Sequence, residues 1–187
     1  MGIYSIRIGL NCCGYLGDPT GKVYPSGYGY RKIFLPVTAA PVKVAWGFII
    51  RDDQGEGIAA GAGALSHLHE PMCAEAEACL NALKIATQLG ISRMIIESDS
   101  AALVQALKTC DMDYALGGLR FREARNLINL DFLDVSIQHC KRSCNLCAHE
   151  LARLGLNGDP NQLSVWVDPL PQFVRNLCAR DLAEQII

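Results

Sequence analysis

The sequence predicts a mixed α/β domain, antiparallel at its start and built with crossover helices afterwards. Three stretches carry that prediction. Val44-Ala45-Trp46-Gly47-Phe48-Ile49-Ile50-Arg51 is aromatic and β-branched, the composition of a strand. A polar turn through Gly55 then returns the chain along the small residues 57–65, which makes a hairpin. Residues 72–89 carry apolar side chains at helical spacing, and the continuous run Met94-Ile95-Ile96 after Gly90 reads as a strand covered on both faces.

Taken in order, residues 1–41 give the weakest pattern. Gly and Tyr recur from Gly14 to Tyr30 without a period, and Pro19, Pro25, Pro36 and Pro41 interrupt them. A weakly ordered segment is expected there, with at most an edge strand at 32–37, because Pro36 cannot donate to a ladder. The domain proper is expected over 42–156. Its hairpin returns on Ala and Gly, which leave room for bulky neighbours. In the following helix Met72, Ala76, Cys79, Leu80, Leu83 and Ala86 share a face. Glu75 lies at the edge of that face, while Glu77, Lys84 and Gln88 point away from it. Gly90 ends the helix where φ turns positive. Ser100 caps a helix over 101–109. A loop leads to a helix over 119–130 with Arg120, Arg122 and Arg125, then a strand over 132–138 and a helix over 144–156. Residues 157–187 read as a tail with Trp166 and a short amphipathic stretch at 173–182.

Composition narrows the classes. Half of the 187 residues are hydrophobic, which is enough for a sizeable core. The net charge of −2 gives no global attraction to nucleic acid, so any such contact must come from a local patch. No apolar run reaches the ~18 residues of a membrane span. The start is too short and polar for a signal peptide, and Ile6 breaks the myristoylation pattern. Nine cysteines, an odd number without a secretion signal, point to free thiols in a reducing compartment, nuclear or cytoplasmic.

Two carboxylates stand out as chemistry. Glu75 on the helix and Asp99 at the end of the next strand can face one another across a helix–sheet junction, the beginning of a divalent-metal site. Cys140, Cys144, Cys147, His139 and His149 give a weaker zinc reading, since only one C-x-x-C is present. Arg120, Arg122 and Arg125 are either a phosphate-contacting patch or an ordinary solvated helix face.

Four runs, WGFIIRDDQG, AEAEACLNALKIA, IIESDSAALVQAL and RSCNLCAHELARLG, fall in the order and spacing that resemble the type 1 ribonuclease H domains of plants and the ribonuclease H segments of plant retroelements. The resemblance implies a mixed five-stranded sheet flanked by helices. It implies metal-dependent cleavage of the RNA strand of RNA–DNA hybrids, with four carboxylates holding two Mg²⁺ ions. The family's helix Glu falls on Glu75 and its strand-end Asp on Asp99. Its first Asp, at the end of the first strand, has no acidic counterpart between Gly21 and Arg51, and Asp18 lies in an unstrand-like turn. Its last Asp is replaced by His149. The first strand is therefore expected to be altered and hydrolysis impaired, with Mn²⁺ preferred to Mg²⁺ because imidazole suits it better. The alternative is a catalytically dead domain that binds nucleic acid or a protein. Glu75, Asp99 and His149 are the expected catalytic residues, and Lys141, Arg142 and Asn145 the expected nucleic-acid contacts of a monomer.

Overall fold

Tyr4–Asn11, within the segment expected to be weakly ordered, forms the first strand, β1, at the centre of the sheet. The reason is local: Ile6 and Ile8 alternate with Arg7 and Gly9, the period of a strand, and both isoleucines are fully buried. Each such burial contributes about 1.5–3 kcal/mol. The computed structural model describes residues 2–11, 44–65, 71–159 and 162–184. Asp18 and the run at 32–37 lie outside the described residues.

The hairpin is β2 (Val44–Arg51) and β3 (Gly57–Leu65). Helix α1 (Pro71–Gln88), strand β4 (Arg93–Ser98), helices α2 (Ala101–Lys108) and α3 (Gly118–Asp131), and strand β5 (Asp134–His139) follow. A 3₁₀ turn, Arg142–Cys144, leads into α4 (Leu146–Gly155). The expected tail then contributes β6 (Leu163–Val167) and α5 (Gln172–Glu184). The sheet has six strands rather than five, ordered β5-β4-β1-β2-β3-β6. Strands β1, β4 and β5 run parallel, while β2, β3 and β6 are added antiparallel. The sixth strand is Leu-Ser-Val-Trp-Val, whose alternation suits an edge. It pairs Trp166 with Ala60.

Helices α1, α2 and α3 cover one face of the sheet, and α4 and α5 the other. The room left by β3 is filled by its neighbour: the rings of Phe48 and Trp46 lie over Gly61 and Gly63, their partners in register, and stack 6.4 Å apart. Gly90 takes φ 72° as the helix end requires. Two expectations change. Strand β4 is fully covered on one face only, with Met94 and Ile96 buried and Ile95 half-buried. Helix α1 buries Ala74, Ala78 and Ala82 as well as its expected face, because α3 packs beside it. The polar side of α1 is consequently bridged: Glu77 pairs with Arg120 at 2.8 Å and Lys84 with Glu123 at 3.0 Å.

Candidate functional site

Asp99 follows the last residue of β4, and α2 is capped without it. The Ser98 hydroxyl accepts the Ser100 N–H, and the Ser100 hydroxyl accepts the Leu103 N–H. The Asp99 carboxylate therefore turns towards α4. His149 Nε2 lies 3.1 Å from Asp99 Oδ2, and donates to it in the Nε2-protonated tautomer or as the imidazolium. The Asn145 amide donates at 3.0 Å to Asp99 Oδ1 and at 2.6 Å to the Ile8 carbonyl of β1. One side chain thus ties the first strand, the fourth strand's end and the start of α4 together. Arg142 adds a guanidinium 3.9 Å from Asp99 Oδ2, itself mostly exposed. Burial works against ionisation of Asp99, but the His149 hydrogen bond and charge, with Asn145, outweigh it and hold the carboxyl below its ordinary range.

Glu75 sits on the first turns of α1, half-buried. Burial pushes its carboxyl up to about 7. The Ser100 hydrogen bond lowers it, the Asp99 charge raises it, and His149 lowers it again. Glu75 and Asp99 therefore sense one another's charge, and His149 is coupled to both.

Backbone packing brings α4 this close. Gly9 and Gly47 are partners across β1 and β2. A side chain on Gly9 would meet the Ala148 carbonyl carbon and the His149 nitrogen at 2.7 Å, and one on Gly47 would meet the Ala152 nitrogen at 2.5 Å. The two bare positions face Ala148 and Ala152, one helical turn apart, so α4 lies directly on the sheet.

Behind this contact is an ion-pair cluster that the sequence reading missed. Asp181 of α5 has a fully buried side chain. It accepts from Arg51 at 2.6 Å, from Arg7 at 3.4 Å and from the Cys147 N–H at 3.2 Å. Arg7 also donates to Glu97 at 2.9 Å and to the Cys144 carbonyl at 2.5 Å. Sequence gives no signal of it, because alternation sets Arg7 on the strand face opposite Ile6 and Ile8.

The expected nucleic-acid contacts divide. Lys141 and Arg142 are exposed beside the site. Asn145 is fully buried, and its amide hydrogens are used inward on Asp99 and the Ile8 carbonyl, so it positions Asp99. Arg120 is held by Glu77, and Arg125 by the Ala106 and Thr109 carbonyls and Asp113, while Arg122 is exposed.

The donor set fits a pair of Mg²⁺ ions poorly. Mg²⁺ calls for ionised oxygen ligands. Burial raises the Glu75 carboxyl to about 7, and an imidazole rather than a carboxylate stands at 149 beside Asp99. No Asp-Gly pair precedes Trp46 in the sequence, so the first Asp that the resemblance calls for has no counterpart there. Among the described residues no three His, Cys, Asp or Glu gather as a metal centre, which also removes the zinc reading. Cys147, one of its candidates, instead points to Cys178 in the core between α4 and α5.

Comparison with known proteins agrees with this fold. Residues 39–155, more than half of the chain, match the family described as reverse transcriptase-like. The curated proteins contain no match. Ribonuclease H1 of Halobacterium salinarum superposes with a TM-score of 0.59 at 22% identity, over 83% of this chain and 98% of that one. The N-terminal ribonuclease H domain of a Mycobacterium tuberculosis protein gives 0.64 at 14% identity, over 84% and 95%. A ribonuclease H1 isolated from compost, solved in complex with an RNA/DNA hybrid, gives 0.61 at 15% identity, over 82% and 96%. The chain belongs to the reverse transcriptase-like family and has the ribonuclease H fold.

Proposed function

We propose that this chain is a ribonuclease H-like protein that binds RNA–DNA hybrids and hydrolyses their RNA strand far more slowly than a four-carboxylate relative. The single observation that carries the proposal is His149. Its imidazole lies 3.1 Å from Asp99 at the position where the resemblance calls for a further carboxylate, so the site lacks the negative charge that two dications need. The binding half is supported by exposed Lys141 and Arg142 beside that carboxylate, and by the hybrid bound to the compost ribonuclease H1 of the same fold. Residual hydrolysis should depend on a divalent ion and favour Mn²⁺ over Mg²⁺, because imidazole at 149 suits the former. The four sequence runs support kinship with plant type 1 ribonucleases H and plant retroelements. The thiols of Cys147 and Cys178 suit a reducing compartment, the nucleus or cytoplasm, where the chain would work as a monomer.

The test measures binding and cleavage of one labelled hybrid in Mg²⁺ and in Mn²⁺. The expected result is saturable binding with cleavage slower than that of a four-carboxylate relative by on the order of 100-fold or more, the size of effect seen when a fixed electrostatic contributor is removed. Full-rate Mg²⁺ cleavage would overturn the impairment. Failure to bind the hybrid would overturn the substrate and leave a protein-binding domain. Binding with no cleavage in either metal, unchanged by Asp99→Asn, would convert the reading to a catalytically dead binder.

A further inference from the structure

We infer that Cys147 and Cys178 are a reversible disulfide site that couples α5 to the helix carrying His149. The two Sγ atoms lie 3.9 Å apart between α4 and α5, both thiols free and both residues buried. A bond requires the sulfurs to approach to about 2.05 Å, a closure of under 2 Å that side-chain rotation can supply when the backbones are already adjacent.

The two helices are held together by an independent contact. Asp181, one turn after Cys178 on α5, accepts the backbone N–H of Cys147 itself and is anchored to the sheet by Arg51. Helix α5 is thereby fixed against Cys147 through its main chain as well as its thiol, so the two sulfurs cannot slip past one another while that ion pair stands. Gly57 leaves the space beside the Cys178 sulfur, where a side chain would come within 2.9 Å of it.

The oxidant is a low-molecular-weight disulfide of the glutathione class. Transient local opening of α5, the last described helix, which breaks the Asp181 contacts to Arg51 and to the Cys147 N–H, exposes Cys178, and reclosure returns the two sulfurs to one another. Its thiol gives up a proton, and the sulfur attacks the small disulfide and releases one glutathione thiol. The Cys147 sulfur, having lost its own proton, then displaces the second glutathione. Two protein thiols are oxidised to one disulfide and one glutathione disulfide is reduced to two thiols, so electrons and protons balance. In a reducing compartment the pair rests as thiols, and the bond forms under oxidative load. The resulting crosslink closes a loop between residues 31 apart in sequence and ties the C-terminal helix to α4 midway between Asn145 and His149.

The experiment incubates the full chain in glutathione buffers of rising oxidised-to-reduced ratio. Each sample is quenched in acid, unfolded and alkylated, and its peptides are mapped by mass. The expected product is lighter than the reduced chain by two hydrogens at a joined Cys147–Cys178 peptide. Its unfolding temperature is raised by roughly 5–10 °C through restriction of the unfolded chain. Cys147→Ala and Cys178→Ala should each abolish both changes. The mapping uses the native chain alone, so it decides the matter even if a variant fails to fold. Alkylation of both cysteines in a buffer that has already modified exposed Cys110 would overturn the proposal. So would a persistent glutathione adduct on Cys178, or a bond from either residue to Cys140 or Cys144.

Discussion

Asp99 is an acceptor surrounded by donors, whereas Glu75 is a carboxyl short of them, and that contrast sets what each can do. Asp99 stays ionised because His149 and Asn145 outweigh its burial. Glu75, raised to about 7 chiefly by burial, binds a proton in the folded chain over a range where the unfolded chain has released it. The sign follows from linkage. Between the ordinary Glu value and about 7 the folded state holds more protons, so stability is full below that window and falls as pH rises through it. Glu75→Gln removes the ionisation. In a chelating buffer the variant should match the parent near pH 4 and melt higher than it at pH 8, by on the order of 5 °C for a chain of this length. Melting curves across pH check this, and a gain that is equal at both ends would mean that Glu75 is not the titrating group. A second prediction concerns charge for metal. Two dications close together repel, and carboxylates offset that repulsion. His149→Asp should raise Mg²⁺-dependent hybrid cleavage by about 10-fold or more, and Asp99→Asn should abolish the gain. Hydrolysis of a labelled hybrid decides it, and no gain would show that position 149 does not supply a metal ligand.

At the scale of elements, α4 is the part whose placement matters most. It is seated on the Gly9–Gly47 pair, pinned to β1 through Asn145, and fastened at its start by Asp181 of α5. The Arg51–Asp181 pair is buried on both sides. Removing one partner of such a pair leaves an uncompensated charge and costs about 3–5 kcal/mol. Asp181→Ala should therefore lower unfolding stability in denaturant by about that amount. The double variant Arg51→Met/Asp181→Leu should recover much of the loss, since packed apolar residues replace a buried pair at little net cost. A double variant as unstable as Asp181→Ala would show that the carboxylate's hydrogen bond to the Cys147 N–H, rather than the ion pair, carries the effect. Either way, the α4 turn holding Asn145 and His149 depends on a residue far along the chain, in the helix that follows β6.

The whole molecule carries a net charge of −2, so its field does not gather a polyanion. Affinity for a hybrid must come from exposed cations beside the site, among them Arg142, 3.9 Å from Asp99, and its neighbour Lys141. Removing one cation that neutralises a phosphate should reduce the dependence of log affinity on log salt by roughly 0.7–0.9. Lys141→Ala/Arg142→Ala should weaken hybrid binding by about 10-fold or more at low salt and flatten the salt slope by about 1–2. Binding titrations at several salt concentrations check both. An unchanged slope would place the phosphate-binding surface elsewhere, with exposed Arg122 the next place to look.

Local pattern determined most of the fold. The hairpin, α1, β4, the Ser100 cap, α2, α3, β5 and α4 follow from β-branched runs, helical spacing and turn residues, because each needs only its neighbours in sequence to declare its period. It also placed Glu75 at the edge of its helix face and Asp99 at the end of its strand. The first strand was legible in principle, since Ile6 and Ile8 alternate with Arg7 and Gly9, but the irregular Gly–Tyr stretch after it obscured so short a signal. What only the tertiary structure decided is who meets whom. Asn145 reads in sequence as a polar residue ahead of a helix, and becomes a buried bridge because Ile8 and Asp99 lie under it. Arg51 and Asp181 are 130 residues apart, and nothing local in either marks a buried pair. Cys147 reads in sequence as part of a C-x-x-C, and its neighbour becomes Cys178 only when α5 lies down on α4. Periodicity reports which face of an element is buried, but not which groups of another element wait there, because that depends on the packing of the whole sheet and both helical layers.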